Sequence, residues 1–231
     1  MYRRLFTFLW RLKRVEHSLT AVWRKHCTAA RLLKTLHRDP TLHGCHLLRN
    51  EMVHFVYNLQ YYLMFEVIEC EAIELSSKLD GAADLDAILS AHSGFLASVT
   101  QKAMLRPEDE AMHLALKELF DAILQFARAQ DMLYMSLLEQ KAAARQHAAQ
   151  VAASAKLGTW ASKGALSAAQ RDAIVVEPRF REQLLLASSE YRRRLATFFR
   201  GITEHASYEH LAFLSFRLDF NEFYTRSLAA A

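Results

Sequence analysis

The sequence predicts an all-α bundle of about six helices, most of them long. Three observations carry this. Hydrophobic residues make up 52% of the 231 residues and charged residues 23%, enough apolar material for a sizeable core. Only 6 Gly and 3 Pro are present, too few to punctuate a chain of many short strands. Apolar residues recur in steps of three and four, and no segment alternates with period two.

The first predicted helix runs from about Tyr2 to Leu36 on the stripe Leu5, Leu9, Leu12, Val15, Leu19 and Val22, and Asp39-Pro40 ends it. The second covers about His43 to Lys78. Val53, Val56, Leu59, Leu63 and Val67 form its stripe, and Phe55, Tyr61, Tyr62 and Phe65 widen it, which predicts neighbours on several sides. Asp80-Gly81 closes it. The third starts at Asp84, a good N-cap, with Leu85, Ile88, Leu89, His92, Phe95, Leu96 and Val99 on its apolar side. The fourth starts at Pro107, with Glu108, Asp109 and Glu110 loading its first turn. Its stripe is Met112, Leu116, Leu119, Ile123, Phe126 and Leu133. Residues 148–178 are rich in Ala, Ser, Gly and Lys and predict a flexible insertion between helices four and five. The fifth helix, about 179–205, carries Leu184, Leu185, Tyr191, Leu195, Phe198 and Ile202. The sixth, about 208–226, carries Leu211, Leu214, Leu218 and Phe223.

No stretch is long and apolar enough for a membrane span; the most apolar segment, 54–70, contains Asn58, Gln60 and Glu66. Arg11, Lys13 and Arg14 interrupt any signal-peptide core. The Arg-rich start imitates a mitochondrial presequence, but the helical pattern continues well past presequence length. Three widely spaced cysteines (Cys27, Cys45 and Cys70) point to free thiols in a reducing compartment. Charge is asymmetric. Residues 1–49 hold 11 Lys/Arg against Glu16 and Asp39, a balance of +9; the rest hold 18 against 23 acids, a balance of −5. A basic start beside an acidic body suggests an acidic protein surface, a polyanion or an acidic upstream region as its partner.

Chemistry-bearing patterns are sparse. Two Glu-x-x-His pairs, Glu51/His54 and Glu110/His113, place a carboxylate and an imidazole on one helix face, as in metal-binding oxidoreductase bundles. Such bundles also need a mid-helix Glu from each of two further helices. The third helix offers only Asp84 and Asp86 at its start, and Glu110 and His113 lie in a first turn. His37, His43, Cys45 and His46 match no zinc spacing. No Gly-rich phosphate loop and no GxSxG is present, so no catalytic residue and no cofactor is expected. Helix one combines Arg and Lys with Phe6, Phe8, Trp10 and Trp23, a pattern found in nucleic-acid binders. Its charges are spread around the helix, as on a solvated helix docked to protein.

Four stretches resemble the γ-tubulin complex component family. Asn50-Glu51-Met52-Val53-His54-Phe55 through Leu59-Gln60-Tyr61-Tyr62 to Phe65-Glu66-Val67 resembles its hallmark helix. Ala83-Asp84-Leu85-Asp86 with His92 and Phe95-Leu96, and Phe6-Thr7-Phe8-Leu9-Trp10-Arg11-Leu12-Lys13-Arg14, match two further stretches. Phe213-Leu214-Ser215-Phe216-Arg217-Leu218-Asp219-Phe220-Asn221-Glu222 resembles its closing helix, closest to the component 3 type, with component 2 the near alternative. The resemblance implies a non-enzymatic structural adaptor that binds γ-tubulin within a γ-tubulin complex and supports microtubule nucleation. Its partners would be γ-tubulin and the other components, with no nucleic acid and no membrane, and its place the cytoskeleton at a microtubule-organising centre or spindle pole. It also implies that the chain is the later part of one C-terminal γ-tubulin-binding domain, without the N-terminal lateral-contact domain. The polar residues of the matching stretches, Arg217, Asp219, Asn221, Asn50, His54 and Gln60, become the candidate γ-tubulin contacts. Phe55, Leu59, Leu85, Phe95, Leu214 and Phe220 are expected in the core, and an Arg217–Asp219 salt bridge is the structural alternative to a binding role.

Overall fold

The computed structural model of the protein describes residues 1–33, 39–156, 174–204 and 209–229. Among them are helices α1 (Tyr2–Leu32), α2 (Pro40–Tyr61), α3 (Cys70–Asp80), α4 (Leu85–Lys102), α5 (Glu110–Lys156), α6 (Pro178–Glu204), α7 (Glu209–Leu218) and α8 (Phe223–Ala229), and no strand. The all-α expectation holds. Of the predicted insertion, residues 148–156 continue α5 as helix, and 157–173 lie outside the described residues.

Four helices form the body. Arg4 reaches Glu110 (3.6 Å) and Lys25 reaches Asp131 (2.6 Å), so the same 21-residue interval separates the partners on both helices, and α1 and α5 run parallel in register. The contacts Gln60 to Lys13 and Arg49 to Trp23 make α2 antiparallel to α1. Arg194–Glu118 and Ser136–Glu177 make α6 antiparallel to α5. Phe55 meets Phe198 edge-on at 5.8 Å, and Asp39 faces Arg181 at 3.5 Å, so α2 and α6 run parallel on the opposite side. This is four-helix packing around one core.

α5 is the spine of this body. Its buried positions come in neighbouring pairs, Leu119/Phe120, Ala122/Ile123, Phe126/Ala127 and Leu133/Tyr134. A helix buried on so broad a face must be covered from two sides. The fourth predicted stripe is buried throughout, but it is only one of the two columns.

Asp39-Pro40 does more than end α1. The Asp39 carboxylate accepts from Thr41 N (2.8 Å) and Leu42 N (3.3 Å), and Pro40 occupies the first turn, so α2 starts here and not at His43. The predicted long second helix is continuous in direction but changes winding, with a π-helical segment over Tyr62–Glu69. The sequence explains it. Leu59, Leu63, Val67 and Glu71 are buried at steps of four. On an α-helix each such step drifts by about 40° in one direction, and the wider π turn that holds Leu63 and Val67 offsets that drift.

α3 and α4 form a hairpin on the end of this helix. Buried Glu71 pairs with Lys102 of α4, and Tyr62 donates from its hydroxyl to Lys102 O (3.0 Å). Asp84 caps α4 by accepting from Ala87 N (2.7 Å), as predicted. The apolar side of α4 is another matter. Val99 is buried, but Leu85, Ile88 and Leu89 face solvent: α4 packs on α3 and the π segment, and Tyr2 of α1 reaches it at His92 (2.7 Å) without covering them. Met104 ends α4 in the left-handed region (φ 57°). Glycine would take that backbone with less strain, but Met104 also fills the core with a fully buried side chain.

The predicted sixth helix is two. α7 buries Leu211, Leu214 and Leu218, then turns through Asp219–Glu222, with Glu222 at φ 55°, into α8. The turn rotates the pattern, so Tyr224 is buried and the expected Phe223 is exposed.

The Glu71–Lys102 pair yields an asymmetric prediction. The Lys102 side chain reaches water and that of Glu71 does not. Lys102→Met strands a buried carboxylate and should lower stability by about 2–3 kcal/mol, whereas Glu71→Gln leaves a lysine that solvent can serve and should cost about 1 kcal/mol. Urea denaturation followed by circular dichroism measures both.

Candidate functional site

The six candidate contacts do not converge. Asn50 is exposed and accepts from the Arg49 guanidinium (2.6 Å), which itself stacks on Trp23 at 4.2 Å. Gln60 bridges to α1, its amide oriented to donate to Glu16 (3.0 Å) and to accept from Lys13 (2.7 Å). His54 lies within 3.0 Å of the Asn58 amide and faces a groove. Asn221 faces the same groove and accepts from Phe223 N (3.4 Å). Asp219 accepts from Tyr224 N and Thr225 N, both at 2.8 Å, and from the Thr225 hydroxyl, so its carboxylate caps α8.

Arg217 is different. Its guanidinium lies 3.8 Å above the centre of the Tyr61 ring, and its Nε finds no acceptor among the described residues. The expected Arg217–Asp219 salt bridge does not form, because the two side chains serve different helices.

Around Arg217 the surface is aromatic. Tyr61 stands 4.5 Å from Phe65, Tyr62 lies 6.4 Å from Phe213, and Phe216 meets Phe220 edge-on at 5.3 Å. Tyr57 is 66% exposed, Phe216 60% and Phe220 75%; Met64, Phe65 and Phe213 are also exposed. Two expectations are corrected here. Phe220 is outside because it follows the last turn of α7, and Tyr61 and Phe65 do not widen a core stripe. The line of buried residues at steps of four turns them outward. Apolar surface gathered on one side of a monomer marks an interaction site. The signal was in the sequence: Phe213, Phe216 and Phe220 fall off the Leu211–Leu214–Leu218 line.

The second concave feature is the groove that His54 and Asn221 line, a cavity of about 750 Å³ between α2 and α6. Glu51 stands in it, with its carboxyl pushed above the usual carboxylate range by burial, against the opposing pull of Arg192 and Tyr191. Glu110 and His113 line a different, smaller cavity at the junction of α1 and α5. There the His113 ring packs edge-on against Phe8 at 5.6 Å, and burial holds its pKa below the usual value. The two Glu-x-x-His pairs are therefore not brought together into one centre. Among the described residues no group of three or more His, Cys, Asp or Glu is placed to hold a metal. Of the other expected cluster, His37 is outside the described residues, and the buried Cys45 thiol is pushed up to about 12 by desolvation, with Asp39 adding to it. Cys27 and Cys70 are exposed free thiols. No helix among the described residues is long and apolar enough to cross a membrane.

Comparison with known proteins agrees with the motif reading. The family profile described as gamma tubulin complex component C-terminal matches residues 1–224. The gamma-tubulin complex component 3 homolog of Xenopus laevis is 39% identical over 96% of the chain and 25% of its own length. The human gamma-tubulin complex component 3 is 37% identical over the same shares, 96% and 25%. Spindle pole body component alp6 of Schizosaccharomyces pombe is 33% identical, again over 96% and 25%. The chain thus spans about a quarter of the length of these relatives.

Two predictions follow from the site geometry. Burial makes the Glu51 carboxyl harder to ionise in the folded state than in the unfolded chain, so its charge opposes folding above the native pKa, and that penalty disappears as pH falls below the unfolded value. Glu51→Gln should raise the melting temperature at pH 7, and the gain should close towards about pH 4. Asp219→Ala should cost about 1 kcal/mol through the lost cap of α8, measured by thermal denaturation.

Proposed function

The chain belongs to the γ-tubulin complex component family, in the region of its C-terminal domain, and we propose that it acts there as a non-enzymatic adaptor that docks γ-tubulin through the aromatic face around Arg217. The single observation that carries this is the exposure of Phe216, Phe220 and Phe65, beside half-buried Tyr61, in the two stretches most like the family. Core packing does not require them there. Interfaces are enriched in aromatics and Arg, and hot spots are commonly Tyr, Trp and Arg. Arg217 is held over Tyr61, Cζ 3.8 Å from the ring centre, so its guanidinium is placed before a partner arrives, which lowers the ordering cost of binding.

In this reading His54, Asn221, Asn50 and Gln60 sit beside the contact or support it, and Asp219 acts by fixing α8. Other γ-tubulin complex components are the remaining partners, and the setting is the cytoskeleton at a microtubule-organising centre or spindle pole. Nucleation is aided by holding several γ-tubulins at lattice spacing, which converts a many-body encounter into binding at high effective concentration. Any nucleotide chemistry belongs to the tubulin.

Size-exclusion chromatography with light scattering on the chain and γ-tubulin tests this, with affinities from labelled γ-tubulin. Phe216→Ser combined with Phe220→Ser, and separately Arg217→Ala, should each weaken the complex by about tenfold or more with circular dichroism unchanged. Undiminished binding by folded variants would place the contact elsewhere.

A further inference from the structure

The groove between α2 and α6, which His54 and Asn221 line, is distinct from the aromatic face around Arg217. Both helices run parallel and meet at Phe55 and Phe198. Towards their N-termini they separate, leaving a trough of about 750 Å³ floored by Phe126 of α5 and closed at one end by Phe223 and Tyr224. Its walls are Leu47 and Leu48 on α2 and Leu184 and Leu185 on α6. Leu185 was expected in the core, yet it is 69% exposed here.

The charges around this trough select an occupant. Arg181 and Arg192 stand on the same wall of α6, eleven residues and so about 16 Å apart along the axis. Arg192 makes no ion pair among the described residues, and the acid it faces is Glu51, whose carboxyl is partly withdrawn from water. Arg181 has Asp39 at 3.5 Å, but that carboxylate also accepts from the first amides of α2. The N-termini of two parallel helices open at the Arg181 end and add positive potential there. A leucine-lined trough with a guanidinium near either end is the complement of a short apolar helix with acidic ends.

We propose that this groove is a second docking site, which receives an amphipathic helix of three to four turns from another polypeptide, its leucine-type face against Leu47, Leu184 and Leu185 and its acidic residues on Arg181 and Arg192. The mode is helix-in-groove recognition, with apolar burial giving affinity and the arginines setting polarity.

The test uses a fluorescein-labelled amphipathic peptide of about 14 residues with Leu along one face and Glu at both ends, its twin with Lys in place of Glu, and anisotropy titration of the chain. The Glu peptide should bind at least about tenfold more tightly than the Lys peptide. Arg192→Glu should abolish or reverse that preference, and Leu185→Asp, at a solvent-exposed position that leaves the fold intact by circular dichroism, should remove binding of both. Equal affinity for the two peptides, or binding unchanged in Leu185→Asp, overturns the proposal. So does a concentration-dependent dimer in light scattering that Leu185→Asp dissolves, since the occupant would then be a second copy of this chain. Leu185→Asp should leave the γ-tubulin complex untouched, so failure here and failure of the aromatic face are separately visible.

Discussion

The structure depends on one constraint: α5 is too apolar on too wide an arc to be covered by a single partner. Neighbouring pairs such as Leu119/Phe120 and Phe126/Ala127 demand cover from two directions. α1 supplies one side and runs parallel to α5; α6 supplies the other and runs antiparallel. A parallel partner cannot follow directly through a short loop, so the chain must travel back between α1 and α5. That return is α2, the π segment and the α3–α4 hairpin, and it borders both the groove and the aromatic face. The groove exists because α2 lies beside α6 without filling the space over Phe126. The aromatic face exists where α2 ends against α7.

The π segment shows how a local winding decides a surface. Leu59, Leu63, Val67 and Glu71 at steps of four suit a wider turn than the α-helix provides. With those residues held inward, Met64 and Phe65 are turned out, and Tyr61 is left half-buried under Arg217. The same side of the molecule receives Phe213, Phe216 and Phe220 from α7, and Arg217 over Tyr61 ties the two helices together. An uninterrupted α-helix would let the buried line drift and spread the aromatics around its circumference.

Helix order was legible in the sequence, and so was the cap at Asp84, because these are local properties of periodicity and chain punctuation; Pro107, expected to start the fourth helix, opens a 3-10 turn over Pro107–Asp109 that leads into α5 at Glu110. What was illegible depends on having or lacking a neighbour. Leu85, Ile88 and Leu89 form as good an apolar stripe as any in the chain, yet the Tyr2 contact of α1 at His92 leaves all three exposed. Leu185 and Phe220 were expected inside for the same reason, since a stripe states what a helix is able to bury and not what arrives to cover it. The candidate contacts were chosen as polar members of family-like stretches. Polarity alone does not separate a side chain that caps a helix, as Asp219 does, from one that lies over an aromatic ring with its Nε unsatisfied among the described residues, as Arg217 does. The distinction rests on where hydrogen bonds go, which is a tertiary fact.

The charge asymmetry of the sequence also changes meaning in three dimensions. A first helix with an excess of Lys and Arg suggests an external polyanion while the acids are far away along the chain. The parallel register of α1 on α5 brings Lys25 to Asp131 and Arg4 to Glu110, and Lys13 is shared between Glu16 and Gln60. Exposed pairs of this kind contribute at most about 1 kcal/mol each, too little to hold the bundle. Their value is in register. Shifting α1 by one turn along α5 would separate both interhelical pairs at once, while the apolar stripe would tolerate the slide. Part of the basic character of α1, at Arg4, Lys13 and Lys25, is thus met by acids of the molecule itself.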